Sequence, residues 1–217
     1  MKNRTLETVR FGIEIEVEFP TTKDSYKLIE KHRIIQGWWM TCDGTLENGA
    51  EYKPKDRNKL YYTSDCKDQI KEILGLIKAH KGTIKPTCGL HIHVDMSKFT
   101  NQEIINIIRA FIKHQNLLYR TFKTLKTRQR DTAAKIPKVI GELITEKIIQ
   151  DTKEGTMVDK EDYFDSKYYG LNIQSLTDYG TIEFRFFNGS IQSRTILKNI
   201  KWAIEFCIKE ALSHEKR

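Results

Sequence analysis

The chain is sparing with the residues that interrupt structure: four Pro and twelve Gly in 217 positions, with 39% apolar and 30% charged residues. That balance excludes collagen-like, low-complexity and disordered classes. Its four cysteines (Cys42, Cys66, Cys88 and Cys207) are scattered and form no Cys-x-x-Cys pair. Neither a zinc knuckle nor a disulfide framework is expected, and a reducing cytoplasm is the simple reading. No apolar run approaches the roughly eighteen residues of a bilayer span, so no membrane partner is expected. The opening Met-Lys-Asn-Arg-Thr-Leu-Glu-Thr lacks the hydrophobic centre of a signal peptide. There is no internal repeat, no P-loop and no Gly-rich nucleotide fingerprint.

What remains is enough chain for one domain over residues 1–217 with a proper core. The net charge of +8 favours anionic partners. Three segments alternate strictly between apolar and polar residues, the period of a half-buried strand. Val9 to Phe19 sets Phe11, Ile13, Ile15 and Val17 against Glu14, Glu16 and Glu18, and Pro20 ends it. Cys88 to Met96 sets Leu90, Ile92, Val94 and Met96 against His91, His93 and Asp95. Thr181 to Phe187 sets Ile182, Phe184 and Phe186 against Glu183 and Arg185.

Short strands are expected at Gly37 to Met40 and Glu51 to Pro54, a longer one at Tyr168 to Leu176, and a turn at Asp43-Gly44. Helical spacing of apolar residues predicts a weak helix over Asp24 to Gln36. It also predicts one over Asp65 to His80 capped by Asp65, and one to about Phe122 opened by a Thr100–Glu103 capping box. Two more are expected over Val139 to Gln150 and Arg194 to Ser213. Arg120 to Lys138 is a basic stretch, and the polar Asp151 to Asp162 is expected to be a surface loop that could act as a lid.

Placed in one antiparallel sheet, the three alternating strands bury their apolar faces on the long helices, an α+β arrangement. Their polar faces then merge. Neighbouring strands lie about 4.8 Å apart, so carboxylates and imidazoles at this density can surround divalent cations. Oxygen-rich ligation with one imidazole suits Mg²⁺ or Mn²⁺ better than zinc. Arginine on the same face suits a phosphate. Singly, each element has an ordinary reading. The glutamates could be a solvated face, Glu183 and Arg185 a surface ion pair of little worth, and Cys88 a nucleophile or, more simply, a small buried residue. The coincidence of three complementary strands is what points to a metal–phosphate platform.

Four segments carry a resemblance. Phe11-Gly-Ile-Glu-Ile-Glu, Asp43-Gly-Thr-Leu with Glu51, Cys88-Gly-Leu-His-Ile-His-Val, and Asn172 with Thr181-Ile-Glu-Phe-Arg-Phe-Phe occur in that order over nearly the whole chain. Here the sequence resembles the amidoligase family, part of the carboxylate–amine ligase superfamily with glutamine synthetase and glutamate–cysteine ligase. The resemblance implies a glutamine-synthetase-like catalytic fold: a curved antiparallel half-barrel with helices on its convex face and ATP and Mg²⁺ on the concave one. It implies phosphorylation of a carboxylate to an acyl phosphate, then attack by an amine.

By position, the resemblance implies that Glu14 and Glu16 bridge metal ions, that Asp43 and Glu51 complete one site, and that His91 and Glu183 complete another. It implies that His93 and Arg185 meet the transferred phosphate, and that Arg128 or Arg130 holds nucleotide phosphates or a substrate carboxylate. The partners expected are a small-molecule or peptide carboxylate and an amine, with a nucleic-acid-linked acceptor possible for a basic chain. Two other functions use the same residues: a metal-dependent hydrolase or nuclease, and a non-catalytic binding protein on the same scaffold. The Thr-Ile-Glu-Phe-Arg segment favours the ligase over the first. The presence of every motif acid, both histidines and Arg185 weighs against the second.

Overall fold

Alternation at period two gives each strand one dry face, and the pairing register decides whether those faces add up. In the structure, a computed structural model describing residues 4–21, 37–42, 46–55, 60–154 and 166–212, they do. The strands are β1 (Phe11–Glu18), β2 (Trp38–Cys42), β3 (Gly49–Pro54), β4 (Gly89–Asp95), β5 (Leu171–Asn172) and β6 (Thr181–Asn188). They form one open sheet in the order β2-β3-β1-β4-β6-β5, with every pair antiparallel. The helices are α1 (Ser64–Ala79), α2 (Asn101–Thr121), α3 (Lys126–Asp131), α4 (Lys138–Glu154), α5 (Ser175–Tyr179) and α6 (Ser193–Ala211).

The three alternating segments are the adjacent strands β1, β4 and β6. Phe11, Ile13, Ile15, Leu90, Ile92, Ile182 and Phe184 are fully buried, in one core with Ile70 and Ile77 of α1, Ile107 and Phe111 of α2, and Ile200 and Ile204 of α6. Each such side chain stabilises the fold by roughly 1.5–3 kcal/mol. Between Leu90↔Phe187 and Ile92↔Phe184, β6 carries one residue more than β4. This bulge sets Arg185 and Phe186 opposite His91. It lets the consecutive Phe186 and Phe187 both be buried.

The capping box at Thr100 and Glu103 forms as the sequence predicts. Elsewhere the boundaries move. The cap of α1 is Thr63, whose hydroxyl accepts from the Cys66 amide, and Asp65 sits inside the first turn, where its charge suits the helix dipole. The strand expected at Tyr168 to Leu176 shrinks to Leu171–Asn172. The chain must reverse there to pair β5 with β6, and it does so through α5 and a left-handed Gly180 at φ 68°. Helix α4 runs on to Glu154, so the expected loop begins later than residue 151. The rest of that loop, the helix expected at Asp24 to Gln36 and the Asp43-Gly44 turn lie outside the described residues. Among the described residues, no helix is long and apolar enough to cross a membrane.

Candidate active site

The register that joins the dry faces also assembles the polar ones. Glu14 stands opposite His91, His93 opposite Glu183, Glu183 opposite Asn172, and Glu16 opposite Glu51. These side chains are withdrawn from solvent: His91, His93, Glu183, Glu16 and Asn172 are buried, and Glu14 and Glu51 nearly so.

Glu14, His91 and Glu183 offer ligand atoms that all lie within 4.8 Å of one another. His91 Nδ1 is 3.0 Å from Glu14 Oε2 and 3.4 Å from Glu183 Oε1. Its Nε2 is 3.1 Å from Glu16 Oε1 without the alignment of a hydrogen bond, and is a buried nitrogen with no hydrogen-bond partner. His93 Nε2 is in the same condition, 3.4 Å from Glu14 and 3.9 Å from Glu183. Its Nδ1 is held 3.2 Å from the hydroxyls of both Ser175 and Thr181, which bond each other at 2.7 Å.

Glu183 has the densest surroundings. Asn172 donates to one carboxylate oxygen at 2.6 Å and Arg185 to the other at 2.7 Å. Burial alone would raise its pKa. His93 and Arg185 outweigh that and hold it below the ordinary range. Burial would likewise raise Glu14, but the hydrogen bond with His91 and the proximity of His93 hold it well below the usual carboxylate value. Burial would lower His93, yet Glu183 and Glu14 together raise it. Glu51 goes the other way, pushed up to about 7 by burial and by the neighbouring Glu14, although Lys53 lies 2.5 Å from its carboxylate.

The donor set fits a hard divalent cation: clustered carboxylates, imidazole nitrogens without hydrogen bonds, and one acid that burial and a like charge drive towards its neutral form. Arg185 stands at the rim. Its Nη1 serves Glu183, part of its side chain meets solvent, and Nη2 makes no hydrogen bond among the described residues.

Matching the chain to family models returns residues 7–207 as the family described as "Putative amidoligase enzyme". The chain belongs to this amidoligase family. The description points to a ligase that forms amide bonds. No curated protein matches the sequence.

Against the residues expected of an amidoligase, the structure brings together Glu14, Glu16, Glu51, His91, His93, Glu183 and Arg185. Asp43 lies outside the described residues. Arg130 is exposed and forks onto Asp131 at 2.7 and 2.9 Å, with no contact to the cluster among the described residues. Arg128 reaches the cluster but is buried within it. Sequence reasoning gave no role to Ser175, Thr181 or Gly89. Thr181 was signalled by its parity, two residues before Glu183 on the same face. Ser175 was not, because it comes from a helix that only tertiary structure brings to His93. Cys88 is fully buried, its sulfur accepting from the Lys85 amide at 3.4 Å, and burial pushes its thiol up to about 11. A thiol so held is a poor nucleophile.

Proposed function

We propose that the chain is an ATP-dependent carboxylate–amine ligase that works through an acyl phosphate with Mg²⁺, or Mn²⁺, on the polar face of the sheet. In this reading the sheet is of the glutamine-synthetase kind and its polar face is the ligand-binding one. The observation that carries the reading is the Glu14–His91–Glu183 cluster with Arg185 at its rim, in a chain of the amidoligase family.

Glu14, His91 and Glu183 would hold one ion, and Glu16 and Glu51, with Asp43 as a further ligand, another. Bound metal supplies neutralisation of phosphate charge, and little covalent participation by the protein is then required. Arg185, kept cationic by Glu183 and by the acids around it, presents a guanidinium edge suited to a phosphoryl group. Asn172 and Arg185 fix the Glu183 carboxylate from two sides, so it need not reorganise as charge develops. Ser175 and Thr181 fix the His93 ring, leaving Nε2 directed at the two acids.

The test is thermal melting with and without MgATP, on the wild type and on Glu183→Gln. Ligand at a hundred times its dissociation constant stabilises by about 2.7 kcal/mol. For a chain of this size that is a shift on the order of 5–10 °C. The expected result is a shift that requires Mg²⁺ and ATP together and vanishes in Glu183→Gln, which itself melts cooperatively. Hydroxylamine trapping of the activated carboxylate then identifies the first substrate. A shift with metal alone, accompanied by phosphodiester cleavage without ATP, would make the chain a metallohydrolase and overturn the ligase.

A further inference from the structure

Arg128 is the largest cation in the interior, 1% exposed and among the bulkiest of the fully buried side chains. Both of its terminal nitrogens are engaged. Nη1 donates to the Thr87 carbonyl and Nη2 to the Arg185 carbonyl, each at 2.8 Å. Nη1 also lies 3.8 Å from Glu16 Oε2, and Nε is buried without a hydrogen-bond partner. The guanidinium is closed off from the solvent side from which a nucleotide phosphate would arrive.

Its setting shows what it does instead. The bulge in β6 takes residues out of the regular ladder, and their carbonyls need partners from elsewhere. Two residues four apart supply them: Thr124 Oγ1 donates to the Phe186 carbonyl at 2.9 Å, and Arg128 donates to that of Arg185. The same guanidinium lies flat on Gly89. A Cβ built there would sit 2.4, 2.6 and 2.7 Å from Nη2, Nη1 and Cζ. Only a glycine admits this approach, which gives a physical reason for the glycine in Cys88-Gly-Leu-His. The Gly89 amide in turn donates to Glu16 Oε2 at 2.5 Å. One planar cation therefore ties the start of β4 to the bulge of β6 and faces the oxygen through which Gly89 orients Glu16.

We propose that Arg128 is a positioning residue: laid on Gly89, it locks the β4–β6 seam and fixes Glu16 in the carboxylate cluster, and it does not bind nucleotide. What Glu16 is fixed for rests on the ligase reading; the lock itself does not. A lysine cannot replace it, because an ammonium has no planar fork to lie flat on Gly89 while separate nitrogens reach the two carbonyls.

The experiment uses Arg128→Lys and Gly89→Ala in the full chain, with exchange and Mn²⁺ binding read without nucleotide and melting read with and without MgATP. Amide hydrogen exchange at position 89 reads the Glu16 contact directly, with the amide of Ile92 as the internal control. Loss of a hydrogen bond to a charged group is worth about 1.5–3 kcal/mol, so exchange should quicken roughly tenfold to a hundredfold at position 89 while Ile92 changes far less. Mn²⁺ titration of the same samples should show affinity lowered at least about tenfold, the factor that 1.4 kcal/mol gives. Unchanged exchange and Mn²⁺ affinity, with loss only of the MgATP-dependent melting shift, would make Arg128 a phosphate ligand and overturn the proposal. If Arg128→Lys does not fold, Gly89→Ala decides, since it displaces the guanidinium without removing it. A wild type that takes up no Mn²⁺ would sink the metal site of the ligase reading, while the exchange data would still decide the lock.

Discussion

The two faces of the sheet are made by the same strands, one residue apart, and they follow opposite rules. On the dry face every neighbour helps: Phe184 packs on Phe111, Trp202 and Phe206 with ring centroids 5.8–6.1 Å apart. On the other face Glu14, Glu16, Glu51 and Glu183 share a space largely closed to water, and Glu51 is driven up to about 7. Like charges gathered in low dielectric cost stability unless cations lie among them. Folding free energy therefore resides on one face, and binding capacity is held on the other at some expense to it. A one-residue slip would exchange the two faces.

The sharpest way to break the contrast is to damage the dry face. Phe184→Ala removes a ring from the centre of the core and should cost roughly 3–5 kcal/mol. For this length that is a fall in melting temperature on the order of 10 °C or more. A fall of only a degree or two would mean that this face does not carry the fold.

Damage to the polar face should have the opposite sign, and the sign should depend on pH. Glu51 titrates near 7 in the folded chain and at the ordinary 4.5 when unfolded. A raised pKa gives stability that is full below 4.5 and is lost as pH rises to about 7, because the unfolded chain releases its proton first. Glu51→Gln removes that loss. In the metal-free protein it should therefore melt higher than the wild type at pH 8, by on the order of 1–2 kcal/mol or a few degrees, and show little gain at pH 4.5. Loss of the Lys53 ion pair offsets part of the gain at both values. An equal difference at the two pH values would show that Glu51 is not under strain from Glu14.

This contrast also explains what could be read in advance. The three central strands were legible because alternation is a property of neighbouring residues, and Glu14, His91 and Glu183 were legible because parity put them on one face. The Thr100–Glu103 box was legible for the same local reason. The bulge was not: nothing in Thr181-Ile-Glu-Phe-Arg-Phe-Phe says that Phe186 and Phe187 will both turn inward, and that is settled by pairing with β4. The fate of the arginines was not legible either. Arg128 and Arg130 are two residues apart in one basic stretch, yet one is entombed on Gly89 and the other forks onto Asp131 in solvent. A helix places residues two apart on different sides, but only the docking of α3 decides which side is the inside. The short strand β5 was overextended because edge pairing ends where the partner strand must be rejoined.

The smallest effect tests where one face ends and the other begins. Cys88 immediately precedes Gly89 and lies close enough to Glu16 and Glu18 for their charges to help raise its thiol to about 11, after burial itself. By parity it belongs with Leu90 and Ile92, on the dry side. A residue of that kind contributes packing and no chemistry, so Cys88→Ser should cost about 1 kcal/mol and keep the MgATP-dependent melting shift. The serine hydroxyl can accept from the Lys85 amide as the sulfur does, which limits the loss. Iodoacetamide should modify Cys88 in the native chain far more slowly than exposed Cys42, because neither access nor thiolate is provided. If Cys88→Ser folded normally but lost all nucleotide turnover, the boundary would have to be redrawn with the thiol on the reacting face, and the metal-and-arginine reading of the site would need a covalent step it does not now contain.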